Sequence, residues 1–368
     1  CTQRSGRYPP RNPIPGTPLM QRLLVTGGAG FIGSNFVRFV RRERPDVRVT
    51  NLDALTYSGN LDNLADLEGD DHYAFVHADI TDAQAVAPLV AEADAVVHFA
   101  AESHVDRSIQ DRRPFIRANV TGTQTLLDAA LAAGYVDAGK RFLHVSTDEV
   151  YGQLPLDRPD LKFTEDTPLQ PNSPYAASKA ASDLLVRAAN HTFGLDAVIT
   201  RCSNNFGPYQ FPEKVIPLFV TNLLEGRKVP LYGDGKNVRD WIHVEDHAEG
   251  IIAAMEHGRP GEIYNLGADN ERSNLEMTKM ILELLGRGEE MIDYVPDRLG
   301  HDRRYAIDST KASSELGWSA TRSAWPEALD RTIAWYKDNE PWWRRVKSGA
   351  YRDYYQRQYV NRGSAGVG

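Results

Sequence analysis

Cysteine is nearly absent from this chain of 368 residues, occurring only as Cys1 and Cys202. Two thiols, one in a proline-rich tail, cannot build a disulfide framework, and they lack metal-ligand spacing. Cys202 is therefore expected to be a small buried apolar residue. Long apolar runs are missing as well. Charge interrupts each of them well before the roughly 18 residues a spanning helix needs, and no basic-then-apolar leader precedes the first strand. The expectation is a cytoplasmic protein without a membrane segment. Positive charge is not in excess either: 42 Lys and Arg face 50 Asp and Glu, a net charge of -8. That balance disfavours nucleic acid as a partner, although a local cluster of Arg and Lys can still hold an anionic substrate. Internal repeats and low-complexity segments are also lacking.

What is present is an alternation of strands and helices. Residues 1–19 carry Pro9, Pro10, Pro13, Pro15 and Pro18 without apolar periodicity and are expected to form an unpacked tail. From Leu23 a short apolar strand runs into Gly27-Gly-Ala-Gly30-Phe31-Ile32-Gly33 and then an apolar-periodic helix. Such a turn lets backbone amides approach a pyrophosphate while the helix N-terminus attracts the anion. A second strand, Arg48 to Leu52, ends at Asp53, where an acidic side chain can take the ribose hydroxyls of NAD and repel the extra phosphate of NADP. Further strands are expected at Ala74–His77, ending at Asp79, and at Ala95–Phe99, ending at Ala100-Ala-Glu-Ser103. Helices at about Asp82–Ala91 and Pro114–Ala133 separate the strands, the pattern of a doubly wound parallel sheet of the Rossmann type. Asp79 should then lie near the adenine and Ser103 near the reacting end of the cofactor, although both could equally be turn residues.

The stretch Arg141 to Gly152 reads as a buried strand followed by Thr147, Asp148 and Glu149. Residues beyond the carboxyl end of such a strand face the ligand crevice, although a Ser-Thr-Asp run can also simply turn the chain. Downstream, Ser173 and Pro174 suit the start of a helix on which Tyr175 and Lys179 share a face. An ammonium near a phenol lowers its pKa toward neutrality, a use in general-base catalysis. After a strand at Ala197–Thr200 the chain turns to amides, cations and aromatics, which suit the base and phosphates of a nucleoside diphosphate. The expected organisation is a Rossmann domain over 20–201, with 242–268 returning to it, and a smaller carboxy-terminal α/β substrate lobe over 202–241 and 269–340. Residues 341–368, where Trp and Tyr mix with Arg and Lys, form an arm expected to dock on its own subunit rather than bind single-stranded nucleic acid.

From Leu23 to about Trp343 the chain resembles the extended short-chain dehydrogenases/reductases and, among them, the nucleotide-sugar 4,6-dehydratases. The resemblance rests on Thr26-Gly-Gly-Ala-Gly-Phe-Ile-Gly33, Ala100-Ala-Glu-Ser-His-Val-Asp-Arg107, Ser146-Thr-Asp-Glu-Val-Tyr-Gly152 and Tyr175-Ala-Ala-Ser-Lys179. Cys202-Ser-Asn-Asn-Phe-Gly-Pro-Tyr209, Arg239-Asp-Trp241 and Gly300-His-Asp-Arg-Arg-Tyr305 complete it. The Thr-Asp-Glu triplet is its specific element. The resemblance implies that Tyr175 is a base with Lys179 as partner, and that Thr147 holds the sugar oxygen being oxidised. It makes Asp148 the acid for the leaving 6-hydroxyl and Glu149 the base at C5.

It also implies a tightly bound NAD against Gly27, Gly30, Phe31, Ile32, Gly33, Asp53, Ala54, Leu55, Thr56, Asp79, Ile80, Ala100, Ala101, Ser103, Tyr175, Lys179 and Asn205. The substrate, dTDP-glucose by resemblance, would meet Ser103, Thr147, Asp148, Glu149, Asn204, Lys214, Val215, Pro230, Leu231, Tyr232, Arg239, Asn274, Arg298, His301 and Tyr305. Ala118 departs from the family, where a hydroxyl residue is more usual, and puts one minor cofactor contact in doubt. The implied assembly is a homodimer joined by Pro114–Ala133 and Ser173–His191. Residue pattern alone does not rank dTDP against UDP. An epimerase on the same fold would use Tyr175, Lys179 and NAD but has no work for Asp148 and Glu149. A catalytically silent nucleotide sensor has no use for the five residues together.

Overall fold

A computed structural model describes residues 20–297 and 300–348, so the expected tail and most of the carboxy-terminal arm lie outside the described residues, as does Arg298. Seven strands form one sheet: β1 Arg22–Thr26, β2 Arg48–Asp53, β3 Tyr73–His77, β4 Ala95–His98, β5 Arg141–Thr147, β6 Asp196–Cys202 and, out of sequence neighbourhood, β10 Ile263–Leu266. Their order is β10-β6-β5-β4-β1-β2-β3, and every pairing is parallel. The connections reverse direction between β1 and β4. A crevice opens there at the carboxyl ends of the strands, where such sheets hold their ligands.

Side chains that alternate along the strands feed two apolar layers. Leu23 and Val25 join Phe36, Val40, Ile251 and Trp318 on one face, while Leu24 packs with Leu126, Phe142 and Val186 on the other. Each such fully buried side chain contributes about 1.5–3 kcal/mol. The return of β10 to the main sheet, beside β6, brings the helix Val244–His257 onto the first of these layers.

A separate lobe contains β7 Asn204–Phe206, β8 Val229–Tyr232, β9 Val238–His243, β11 Glu271–Ser273 and β12 Ile292–Val295. They form a three-stranded sheet, β11-β9-β7, and a parallel pair, β12-β8. Phe219, Trp241, Met277, Ile333 and Trp343 share its core. The helix Glu340–Val346 at the start of the arm ties the lobes together, because Trp342 Nε1 donates to Asn63 Oδ1 at 3.0 Å while Trp343 Nε1 donates to Tyr336 O at 2.8 Å.

Several elements differ from the pattern in the sequence. The helix expected over Pro114–Ala133 begins at Arg113 and widens to π-type turns over Ile116–Gly122 before continuing as Thr123–Ala132. The widening is a device that recurs at functional sites. Here Asn119 Nδ2 donates to Glu102 O and Ser178 Oγ at 3.0 and 2.8 Å, stapling the segment after β4 to the helix Pro174–Phe193. The expected helix Asp82–Ala91 runs Ala83–Glu92, since Asp82 caps it through Gln84 N and Ala85 N. No described helix is long and apolar enough to cross a membrane.

Candidate active site

Two adjoining cavities, of about 310 and 160 Å³, open along the carboxyl edge of the sheet. Glu149, Asn204, Glu213 and Lys214 line both, so the two form one elongated cleft with Glu149 at the junction.

The larger cavity has the walls a dinucleotide needs. Gly27 stands at φ 74°, and a Cβ there would lie 2.6 Å from Ala100 N, while one on Gly33 would lie 2.2 Å from Gly27 O. Only glycine permits this closeness of turn, helix and sheet, which leaves the amides at the head of Phe31–Glu43 free for phosphates. Asp53 sits at the end of β2, its carboxylate fixed by Ala29 N at 2.9 Å and Leu55 N at 2.8 Å. Burial raises its pKa and those two amides oppose the rise. Each oxygen retains a second lone pair for a ribose hydroxyl. Asp53→Asn is expected to weaken NAD binding about tenfold while weakening NADP less. Titrating both nucleotides into stripped protein checks this, and an unchanged NAD to NADP ratio contradicts it.

Gly30, Phe31, Ile32, Ala54, Thr56, Asp79, Ile80, Ala100, Ala101 and Ser103 also line this cavity, and Ala118 stands in its wall. Leu55 does not. At φ 49° it turns the chain around Asp53 instead, and its contribution is the amide. Asp79 combines both expected roles: it lines the cavity and turns the chain through Thr81 N at 2.9 Å, while also pairing with Arg117 at 2.9 Å.

Thr147, Asp148, Glu149, Tyr175, Lys179 and Asn205 meet in the same cavity. Thr147 ends β5 and caps the turn Asp148–Tyr151 through Glu149 N at 3.3 Å. Asp148 is buried, and Thr147 Oγ1 donates to its Oδ1 at 3.4 Å, whereas Oδ2 has no partner among the described residues. Burial, then the neighbouring Glu149 and Asp240, push its pKa well above the usual range. The carboxyl is therefore a neutral acid with its second oxygen uncommitted. Two adjacent carboxylates cannot both ionise cheaply in a dry site, so the negative charge falls to the less buried Glu149.

Tyr175 and Lys179 rise from the first turns of the helix Pro174–Phe193, which Ser173 caps through Ala176 N at 3.0 Å. Burial, followed by the charge of Glu149, pushes the Tyr175 phenol well above its ordinary value, while a hydrogen bond with Thr147 draws it down. Burial pulls Lys179 down to about 8. Cys202 lines the cavity as a buried thiol pushed up to about 12, which leaves it inert.

The smaller cavity gathers Asn204, Lys214, Val215, Pro230, Leu231, Tyr232, Arg239, Asn274, His301 and Tyr305. Arg239 is held by Val238 O at 2.8 Å and Asp302 O at 2.9 Å with its guanidinium 4.3 Å from the Tyr305 ring. Tyr305 donates to Asp302 Oδ2 at 2.5 Å. Lys214 reaches Ser103 O at 3.4 Å, linking the two halves of the cleft. Oriented cations beside aromatic rings suit a base attached to a diphosphate.

Residues the pattern did not single out include Tyr57, Glu102, Phe211 and Glu213 in the larger cavity and His104, Asp106 and Trp241 in the smaller. Glu102, His104 and Asp106 lay within the Ala-Glu-Ser-His-Val-Asp motif and Trp241 within Arg239-Asp-Trp241, which was their only signal. Tyr57 and Glu213 had none, because their meeting depends on packing between lobes: Arg107 lies 3.9 Å from the Tyr57 ring and 3.2 Å from Glu213.

A GDP-mannose 4,6 dehydratase family model matches residues 24–326. A dTDP-glucose 4,6-dehydratase of Mycobacterium tuberculosis is 51% identical over 91% of this chain and 99% of its own length. The crystal structure of a dTDP-glucose 4,6-dehydratase from Streptomyces venezuelae, with NAD bound, is 52% identical and superposes with a TM-score of 0.83, covering 89% of this chain and all 100% of that one. A UDP-glucose 4-epimerase of Thermotoga maritima shares the fold with a TM-score of 0.78 and 28% identity over 87% of this chain and 99% of that one.

Proposed function

Because the chain belongs to the dTDP-glucose 4,6-dehydratase family, we propose that Thr147, Asp148, Glu149, Tyr175 and Lys179 carry its conversion of dTDP-glucose into dTDP-4-keto-6-deoxyglucose. The observation that carries these roles is the meeting of a neutral buried acid, a less buried carboxylate and a Tyr-Lys pair in one cavity.

The sugar's C5 hydrogen is not acidic until C4 is a ketone, so oxidation precedes loss of water. Thr147 holds the C4 oxygen and Tyr175 takes its proton. NAD would be held by the glycine turn and Asp53 and would supply the hydride acceptor for C4 and donor for C6, together with the positive charge of its oxidised ring. That charge, with Lys179, offsets the burial that otherwise keeps Tyr175 a phenol. Glu149 then removes the C5 proton while Asp148 donates its own to the departing hydroxyl at C6. With C6 reduced, Glu149 gives the proton back at C5, the proton Tyr175 took from the C4 hydroxyl passes to solvent and Asp148 takes one up, leaving a ketone at C4. An epimerase has no step that needs the Asp148 and Glu149 pair. Incubation of the purified protein with dTDP-glucose, followed by mass, tests the activity: a product lighter by one water supports it, and an isobaric product or unchanged substrate overturns it.

A second copy of the chain is the partner we assign to the adjoining helical runs 113–132 and 174–193. Ile116 and Leu184 support this assignment, being 52% and 56% exposed on them. Ile116→Glu with Leu184→Glu is expected to convert a dimer to a monomer in analytical ultracentrifugation, and a dimer that persists contradicts the assignment. A cytoplasmic setting is supported by the chemistry of substrate and cofactor, both charged diphosphates that do not cross a lipid bilayer unaided.

A further inference from the structure

Lys179 is held from behind by a buried chain of polar groups that the reaction itself does not use. Its Nζ donates to Val145 O at 2.8 Å and lies 3.3 Å from His144 Nε2. The same imidazole nitrogen stands 3.4 Å from Asp183 Oδ1, and Asp183 Oδ2 accepts from Arg201 Nε at 2.9 Å. Arg201 lies 4.7 Å from the ring of Tyr151, whose hydroxyl donates to Asn265 Oδ1 at 2.8 Å. His144, Asp183, Lys179 and Arg201 are all buried, on β5, the helix Pro174–Phe193 and β6. Such a row of ionisable groups is costly to bury and needs a reason.

The charges supply one. Lys179 and Arg201 bring two positive charges and Asp183 one negative, so the cluster keeps one positive charge uncancelled. Its other titratable neighbours do not remove it. The His98 ring, 5.2 Å from that of His144, is neutral because burial pulls its pKa well down. His144 is neutral for the same reason, at about 4. Cys202 is a thiol, Asp148 a neutral acid and Tyr175 a phenol at rest. Glu149, at the cavity junction, and Asp240, whose charge also bears on Asp148, are anions on the cavity side, and Glu165, which accepts from Asn265 N at 2.9 Å, is the anion beyond Tyr151.

A buried ammonium without a counter-charge sheds its proton, whereas one cancelled by a direct carboxylate pair has no charge left to offer. The arrangement avoids both. Asp183 opposes the loss of the proton, Arg201 occupies one oxygen of Asp183, and the neutral imidazole of His144 stands between carboxylate and ammonium. Taking Tyr175 and Lys179 in the roles proposed above, we infer that His144, Asp183 and Arg201 are positioning residues. They keep Lys179 an ammonium with its charge available to the Tyr175 phenolate.

The test uses the full chain with its NAD and follows C4 oxidation of dTDP-glucose in single turnovers across pH. Asp183→Asn keeps an acceptor for Arg201 but raises the cluster from one net positive charge to two, so Lys179 gives up its proton. Oxidation at neutral pH is expected to fall about tenfold or more, with the rising limb of the pH profile, set by Tyr175, moving up by about one unit and the falling limb, set by Lys179, moving down. KM for the sugar nucleotide should stay within about twofold, because none of these groups lines the nucleotide end of the cleft. His144→Phe should shift the profile the same way, and it decides the matter if Asp183→Asn fails to fold. In a Lys179→Met background neither substitution should shift the profile further, which separates this role from a merely structural one. Folded variants that retain the parental pH profile overturn the inference alone. A parental protein that does not oxidise dTDP-glucose overturns the assignment beneath it.

Discussion

Replacing Glu149 with Gln is expected to stop the reaction after C4 oxidation: reduced cofactor forms at nearly the parental rate, and dehydration falls by about 10²–10⁴. Gln keeps the length and polarity of the side chain but cannot take the C5 proton. The turn should survive, since Thr147 Oγ1 caps it through the backbone amide of Glu149 rather than its side chain. The same logic separates Glu149 from its neighbour. Asp148 is buried with one oxygen uncommitted and its pKa pushed well up, so it enters the cycle already protonated. Asp148→Asn should likewise spare oxidation and suppress loss of water. Dehydration in the parental enzyme should therefore decline as pH rises through the elevated pKa of Asp148, because the acid form is the active one. Rapid quench with mass detection of the keto and dehydrated sugars resolves both steps. A Glu149→Gln variant that loses water at the parental rate sinks its assignment as the base.

Tyr175→Phe has the opposite signature, with the first step failing and nothing downstream accumulating. The ring stays packed against Phe115, with centroids 6.4 Å apart, so the helix should keep its place. What is lost is the acceptor for the C4 hydroxyl proton, worth about 10²–10⁴ in the rate of cofactor reduction. Both this and the Glu149 change lower overall turnover, and single-turnover absorbance of the reduced nicotinamide tells them apart. Unchanged reduction in Tyr175→Phe removes Tyr175 from the mechanism. Above about 8, where Lys179 gives up its proton, oxidation by the parental enzyme should slow, since the cation that favours the phenolate is gone.

Much of the site was legible because its signals are local. The glycine turn, the acidic residue after β2, the triplet after β5 and the Tyr-Lys spacing each depend on a few consecutive residues and on the strand or helix that carries them. Their convergence follows from a parallel sheet, which delivers the carboxyl ends of its strands to one edge. The π-type turns at Ile116–Gly122 were not legible, since side chains distant in sequence set them: Asn119 answers to Glu102 and Ser178.

Residue order by itself thus determined the doubly wound fold, the cofactor it holds and the chemical types gathered at the end of β5. Only the tertiary structure decided how those groups are charged. Whether Asp148 is an acid, and whether Lys179 keeps its proton, depends on burial and on partners such as Asp240, His144 and Asp183 that spacing does not reveal. Protonation is set by the surrounding dielectric and by charges across space, and both exist only once the chain has closed around them.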